Sequence, residues 1–404
     1  MRTSPFVAKI LRLLGPAFVA AVAYVDPGNF AANFGAGAEF GYTLLWVLIL
    51  ANLMAVLTQY LSAKIGIVTG KSLPELIAER LPKWGRLLYW IQAEVVAVAT
   101  DLAEVVGGAI ALQLLWGIPL VWGGVIIGII SMGLLYIYSH HGQRWFERVI
   151  LVMLLLIPLG FLYSLVNHPP RIEGIVTGLV PRLDSRQAVL LASAMIGATI
   201  MPHVVYLHSA LARDRHGKVA VHEVGAYLNA TKIDVAIAMV IAGTVNISML
   251  LLAASTLHGQ KIETFVEIFR ALGTSLGGLV AVLFAAGLLI SGLASTAVGN
   301  QAGSVILRDF TEWHIPTWVR RVMTMLPALI LLALNVNPMT LLILSQIALS
   351  IGVPFALIPL LVLTSRRRVM GEWANSLTMK LVVGISTLCI VVLNLVLIIQ
   401  TLLQ

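Results

Sequence analysis

Ala23-Tyr24-Val25-Asp26-Pro27-Gly28-Asn29-Phe30 interrupts an apolar stretch that begins near residue 11. Pro27 removes a backbone donor and its ring crowds the preceding turn, while Gly28 accepts dihedrals that other residues avoid. Residues 11–25, ahead of Asp26, are mostly apolar, so the carboxylate falls at membrane depth, too deep for a short side chain to reach an interface. An ionisable group in such a place marks a functional site by default. A helix broken inside hydrocarbon must line a cavity or be buried in protein, because each unsatisfied backbone group there costs several kcal/mol.

Ile196-Gly197-Ala198-Thr199-Ile200-Met201-Pro202-His203 repeats the device, with a proline in mid-span and a histidine beside it. Taken alone, Met201 would read as a core-filling methionine and His203 as a packed, hydrogen-bonded histidine. Their position in a second break gives them a different weight. Paired Gly/Pro interruptions at corresponding points of two halves point to an inverted-repeat transporter with its site at the bilayer midplane.

The rest of the chain agrees. Of 404 residues, 59% are hydrophobic and only 11% charged, against about 25% charged in soluble domains. A soluble fold, a disordered tail, a coiled coil and a collagen-like fibre are all excluded. Eleven apolar stretches are long enough to cross a bilayer as helices: 11–37, 42–64, 87–115, 118–138, 147–166, 188–212, 231–257, 276–305, 318–335, 339–363 and 379–402. The two breaks fall in spans one and six. Residues 1–166 therefore read as a first repeat, 167–187 as an external connection, 188–363 as a second repeat, and 364–404 as a cytoplasmic loop and an appended eleventh span. The first stretch is longer than a signal-peptide h-region and carries Asp26-Pro27 where a cleavage site needs small residues, which argues against a cleaved leader.

The formal charge of +8 would suggest nucleic acid in a soluble protein. With the N-terminus placed inside, 21 basic residues lie in cytoplasmic segments: Arg2, Lys9, Arg12, Lys64, Lys71, Arg80, Lys83, Arg86, Arg144, Arg148, Arg213, Arg215, Lys218, Lys232, Arg308, Arg320, Arg321, Arg366, Arg367, Arg368 and Lys380. Five lie outside: Arg171, Arg182, Arg186, Lys261 and Arg270. That asymmetry sets the N-terminus inside and the C-terminus outside. It also weakens the nucleic-acid reading, because the positive charge is scattered over short loops at one membrane face, and Arg366–Arg368 read as a membrane anchor. His140, His141 and His216 read as solvated loop residues and Glu39 as an interfacial charge. Cys389, the single cysteine, reads as a small hydrophobe with no disulfide to make.

The breaks offer a defined set of donors. Asp26 gives a hard anionic oxygen and Asn29 an amide oxygen. Unwinding frees the carbonyls of Ala23 and Ala198, and Met201 adds a soft thioether. Oxygen alone would suit Mg²⁺, Ca²⁺ or Mn²⁺; sulfur shifts the preference toward first-row transition ions. A single carboxylate under-neutralises a divalent ion and favours its release. In span three, Asp101 and Glu104 follow Glu94 by close to two and three whole helical turns, so the three acids share one face. Such a stripe must face protein, and Arg320 and Arg321 at the start of span nine are its natural partners, whether the pairs serve packing or proton movement. The small-residue runs 271–278 and 291–304 permit close helix packing. No phosphate loop follows any span and no nucleophile–base set is present, so an ATP-driven pump and an enzyme are not expected.

These motifs closely resemble the paired signatures of the Nramp divalent-metal transporters. The resemblance takes in Asp26-Pro27-Gly28-Asn29, Ala198-Thr199-Ile200-Met201-Pro202-His203, Trp90-Ile91-Gln92-Ala93-Glu94, Thr100-Asp101-Leu102-Ala103-Glu104 and Tyr206-Leu207-His208-Ser209, over nearly the whole chain. It implies an all-α, LeuT-type fold of eleven transmembrane helices and proton-coupled import of Mn²⁺, with Fe²⁺, Co²⁺ and Cd²⁺ as further substrates, across a bacterial cytoplasmic membrane. It implies metal ligation by Asp26, Asn29, Met201 and the Ala23 and Ala198 carbonyls, joined by Gln346 when the site is occluded. A proton path is implied from Asp26 through Asp101 and Glu104, with Glu94, His203, His208, Arg320 and Arg321 beside it. No resident cofactor is implied, and a monomer is expected. Ser304 and Asp309 depart from the family pattern, which usually has Gln and Gly there. A LeuT-type carrier of an amino acid or other organic solute is the alternative, as is a Mg²⁺-carrying variant of the family; Asp26 speaks against the organic carrier, which would want an uncharged break.

Overall fold

The computed structural model describes residues 15–402 except 142, 218, 261 and 314. Arg2, Lys9, Arg12, Lys218 and Lys261 of the charge count lie outside the described residues, as do the side chains of His140, His141 and Arg144. Among the described residues helices stand at all eleven expected spans, formed by α1 (Pro16–Ala23) with α2 (Pro27–Phe40), α3 (Leu45–Thr69), α5 (Lys83–Trp116), α6 (Leu120–His141), α7 (Gln143–Asn167), α9 (Arg186–Thr199) with α10 (Pro202–His216), α11 (Val224–Thr256), α13 (Gly278–Thr311), α14 (Thr317–Ala333), α15 (Pro338–Ser365) and α17 (Leu377–Leu402), and at eight of them the helix is long and apolar enough to cross a membrane by itself. Short helices α4 (Leu73–Ala78), α8 (Ile172–Gly178), α12 (Phe265–Leu276) and α16 (Arg367–Met370) occupy connections that hydropathy alone leaves blank.

The observed helices outrun several expected spans. The third runs over Lys83–Trp116 rather than 87–115, and the eighth over Gly278–Thr311 rather than 276–305. Hydropathy reports only the part of a helix that lies in hydrocarbon, and these helices continue into the polar margin. His140 and His141 belong to the last turn of α6, not to a loop. His216 closes α10 and packs edge-on against Tyr227, with ring centroids 5.0 Å apart, so it is not a solvated loop residue.

The broken helices α1, α2, α9 and α10 form the centre of the bundle, with nearly every side chain buried. Leu155, Leu159, Met323, Ile330, Ile385 and Leu388 present an apolar outer surface, which a bilayer covers. Glycine allows the closest crossings. A Cβ at Gly107 of α5 would lie 2.0 Å from Pro27, and one at Gly292 of α13 would lie 3.1 Å from Gly108, so the run 291–304 packs as expected. The run 271–278 does not: Gly277 meets nothing within 4 Å and sits at φ 98°, serving as the turn between α12 and α13.

Candidate metal site

Each break has the same local cause. An α-helical carbonyl bonds to the amide four residues ahead. For Ala23 that residue is Pro27 and for Ala198 it is Pro202, so neither carbonyl can find its helical amide. α1 ends at Ala23 and α2 restarts at Pro27 with Asp26 as its N-cap, accepting from the Asn29 amide at 2.7 Å. α9 ends at Thr199 and α10 restarts at Pro202, with Ile200 and Met201 between them.

The structure brings the expected donors together. Asn29 Nδ2 donates to Asp26 Oδ1 at 2.8 Å and to the Ala198 carbonyl at 2.9 Å, joining the two breaks. Gln346 of α15 donates through Nε2 to Asp26 Oδ2 at 3.3 Å. Asp26, Asn29, Met201, Ala198 and Gln346 are all fully buried, and Ala23 is 1% exposed, so the cluster is shielded from solvent on both sides. Two acceptors within it, Asn29 Oδ1 and Gln346 Oε1, have no hydrogen-bond partner among the described residues. Rotating either amide by half a turn exchanges its NH₂ for this oxygen, which converts a donor set aimed at Asp26 into an oxygen set for a cation. Among the described residues no group of three or more His, Cys, Asp or Glu has metal-binding proximity. The hydrogen-bonded cluster offers one carboxylate, two amides and the Ala198 carbonyl, and the buried Ala23 and Met201 stand at the two helix breaks beside it.

The remaining unwound carbonyls are held by residues that hydropathy does not single out. Asn246 of α11 donates to the Tyr24 carbonyl at 2.7 Å and accepts from Asn33 at 3.0 Å, and Ser291 of α13 donates to the Val25 carbonyl. Asp234 of α11 accepts from the amides of Gly15 and Ala17, each at 3.1 Å, and so caps α1 from outside. The readable signal was there: small polar residues inside long apolar spans have to be bonded to something.

The span-three acids face protein, as the helical spacing requires. Arg320 meets Glu94 at 2.8 Å and Arg321 meets Asp101 at 3.2 Å, with Arg321 fully buried and also donating to Ser131. Glu104 forms no ion pair among the described residues; it faces Gly299 of α13, where a Cβ would come within 2.7 Å of Oε1. The two ion pairs of the stripe thus fall on Glu94 and Asp101, and Glu104 lies beyond them toward the first break. One turn beyond Glu104, Gly107 touches Pro27, so the stripe starts at the first break. His203 lies 3.2 Å from the hydroxyl of Thr100, the neighbour of Asp101. His208 lies 2.6 Å from Gln59, which donates to the Tyr24 hydroxyl at 2.5 Å.

A cavity of about 330 Å³ lies beyond this buried chamber at the end where α2 finishes, lined in part by Glu39, Glu263, Met339 and Ile343. Glu39, exposed and 3.3 Å from Gln187, belongs to this mouth. A second cavity of about 490 Å³ lies at the opposite end, where α3 and α13 finish, lined in part by Lys71, Glu79, Arg308 and Asp309. A buried polar cluster held between two broken helices, with a cavity at each end of the bundle, is the anatomy of a carrier. A family model described as natural resistance-associated macrophage protein-like matches residues 17–400. The chain belongs to the Nramp family.

Relatives in the family are close. The divalent metal cation transporter MntH of Mycobacterium tuberculosis (strain CDC 1551 / Oshkosh) is 52% identical over 365 residues, covering 90% of this chain and 85% of its own. The Eremococcus coleocola manganese transporter, solved with an aromatic bis-isothiourea substituted compound, superposes with a TM-score of 0.88 at 29% identity, covering 98% of this chain and 88% of that one. Mhp1, a nucleobase-cation-symport-1 family transporter, shares the LeuT-type fold at a TM-score of 0.63 and 16% identity, covering 96% of this chain and 91% of that one. This Nramp chain is a multi-pass membrane transporter, not an enzyme.

Proposed function

We propose that the protein imports divalent transition-metal ions, Mn²⁺ foremost and Fe²⁺, Co²⁺ and Cd²⁺ with it, together with protons, across the bacterial cytoplasmic membrane. The observation that carries this reading is the buried hydrogen-bonded cluster of Asp26, Asn29, Gln346 and the Ala198 carbonyl, with the amide oxygens of Asn29 and Gln346 unengaged; Met201 and the Ala23 carbonyl complete the proposed ligand set. The names of the relatives, divalent metal cation transporter and manganese transporter, support it. Asp26 supplies the charge; Asn29 and Gln346 turn their oxygens inward as the ion displaces their NH₂ groups from the carboxylate. Met201 tilts the site toward softer ions over Ca²⁺ and Mg²⁺. Protons leave the Asp26 neighbourhood along Glu104, Asp101 and Glu94, whose stripe spans about 20 Å of α5 from Gly107 at about 1.5 Å per residue.

The excess of basic residues in the connections on the side where α3 and α13 finish, 21 against 5 on the other, supports a cytoplasmic placement for that side and for the N-terminus, with the C-terminus outside. Residues 1–166 and 188–363 serve as the two repeats, and their leading spans carry the two breaks. The deciding experiment pairs calorimetric titration of the purified protein with Mn²⁺ uptake into proteoliposomes. Binding of Mn²⁺, uptake that quickens at acidic external pH, and loss of uptake in Asp26→Ala support the assignment. Undiminished uptake in Asp26→Ala liposomes sinks it.

A further inference from the structure

We propose that Asn394, on the eleventh span, is a positioning residue for Gln346, resting on the reading of Gln346 as a metal ligand. α15 carries two internal prolines, Pro354 and Pro359. Each removes the amide that a carbonyl four residues earlier needs, and its ring pushes that carbonyl out of line. The carbonyls concerned are those of Ser350 and Phe355. Both are answered from other helices. Phe355 accepts the hydroxyls of Tyr89 and Tyr206, each at 3.3 Å. Ser350 accepts Asn394 Nδ2 at 2.8 Å, and the Ser350 hydroxyl returns a bond to Asn394 Oδ1, also at 2.8 Å.

The second pair is the informative one, because of where it sits. Ser350 follows Gln346 by one helical turn. The turn between them is the surface on which α9 rests. A Cβ at Gly197 would lie 2.0 Å from the Gln346 carbonyl oxygen and 2.7 Å from the Ser350 amide nitrogen. Gly197 immediately precedes Ala198, whose carbonyl belongs to the chamber. Asn394 is 5% exposed on an otherwise largely apolar helix whose neighbouring residues Val392, Leu395 and Val396 are exposed. α17 packs on both α9 and α15. A polar amide at that depth is bonded to something, and here it is bonded twice to one residue. It holds the turn that carries Gln346 against the second break, so the eleventh span is part of the site's support and not only an appendage.

The test is a set of double-mutant cycles read as the KM for Mn²⁺ uptake in proteoliposomes, with melting curves recorded on every variant. Asn394→Ala, which removes both interhelical hydrogen bonds to Ser350, is expected to raise KM roughly three- to tenfold. Asn394→Asp, which keeps the size but loses the amide donor, is expected to do the same. In a Gln346→Ala background the added effect of Asn394→Ala should fall below twofold. In a Pro354→Ala background, where Ser350 regains a helical amide, it should also shrink. A rise in KM that is unchanged in the Gln346→Ala background, or an Asn394→Ala protein with wild-type KM, overturns the assignment. Wild-type liposomes that take up no Mn²⁺ would overturn the transport reading itself, and the dependent role of Asn394 with it.

Discussion

Asp309 near the end of α13 accepts a hydrogen bond from the hydroxyl of Ser72, the N-cap of α4, at 2.6 Å across 237 residues of sequence. The same carboxylate takes Arg213 of α10 at 3.2 Å and Arg308 at 2.7 Å, and Arg213 also reaches Glu75 at 2.7 Å. One residue thereby ties α4, α10 and α13 at the mouth assigned to the cytoplasm. Asp309→Ala should lower the melting temperature by an amount equivalent to about 1–3 kcal/mol, the cost of leaving a buried donor unpaired. The loss should be nearly independent of salt, because the carboxylate is 2% exposed and buried pairs are weakly screened. A thermal melt in low and high NaCl checks both points; a loss that vanishes in high salt refutes the buried tie.

Asp26 has two duties that one substitution can separate. As an N-cap it accepts the Asn29 amide, and removing a cap costs about 1 kcal/mol, whereas Asn caps as well as Asp. Asp26→Asn should therefore melt within a degree or two of wild type while taking up no Mn²⁺, and Asp26→Ala should lose both stability and uptake. Paired melting and uptake measurements decide. Retained uptake in Asp26→Asn would mean that the charge is not needed.

Gly28 and Gly197 both face Gln346 but should not respond alike. A Cβ at Gly28 would come within 1.7 Å of Gln346 Nε2, the end of a flexible side chain. A Cβ at Gly197 would come within 2.0 Å of the Gln346 backbone oxygen, which cannot swing away. Overpacking costs about 1–3 kcal/mol. Gly197→Ala should sit at the upper end of that range or fail to express, while Gly28→Ala should fold and weaken Mn²⁺ binding by displacing the Gln346 side chain. Comparing folded yield with calorimetric affinity distinguishes them; equal losses in both variants would refute the distinction.

The spans and both breaks were legible because hydropathy and proline are one-dimensional signals. A run of apolar residues or a missing amide four positions on can be read without knowing what lies opposite. The supports of the site were not legible in that way. Asn246, Ser291, Asn394 and Asp309 do their work on residues between 44 and 266 positions away, and nothing in their local sequence says which helix they face. Helix α12 carries a local signal of its own. Thr264 and Glu267 form a capping box, as do Ser72 and Glu75 ahead of α4, and that four-residue pattern marks a helix start even in a short connection.

Met201 bears on selectivity. It is fully buried in the second break, and its thioether is the only soft donor proposed for the chamber. Met201→Ala should leave an oxygen-only set. Ca²⁺ and Mg²⁺ should then compete with Mn²⁺, and Cd²⁺ should bind more weakly. Competition uptake measures this, and unchanged Ca²⁺ competition removes the thioether from the argument.

Asp101 separates proton movement from metal binding. Its carboxylate sits beside the fully buried Arg321, so deleting the charge leaves a guanidinium without its anion, a change that costs about 3–5 kcal/mol when a buried pair is broken. Asp101→Asn therefore needs a control for folding, and Ser131, which already accepts from Arg321 at 3.0 Å, offers part of one by keeping that guanidinium bonded. In the protein that does fold, metal-stimulated proton flux should fall at least tenfold while Mn²⁺ affinity changes less than threefold, since the chamber donors are untouched. Parallel recording of internal pH and Mn²⁺ in the same liposomes gives both numbers. If flux and affinity fall together, the Asp101–Arg321 pair is a packing element of the α5–α14 interface, and the proton path runs elsewhere.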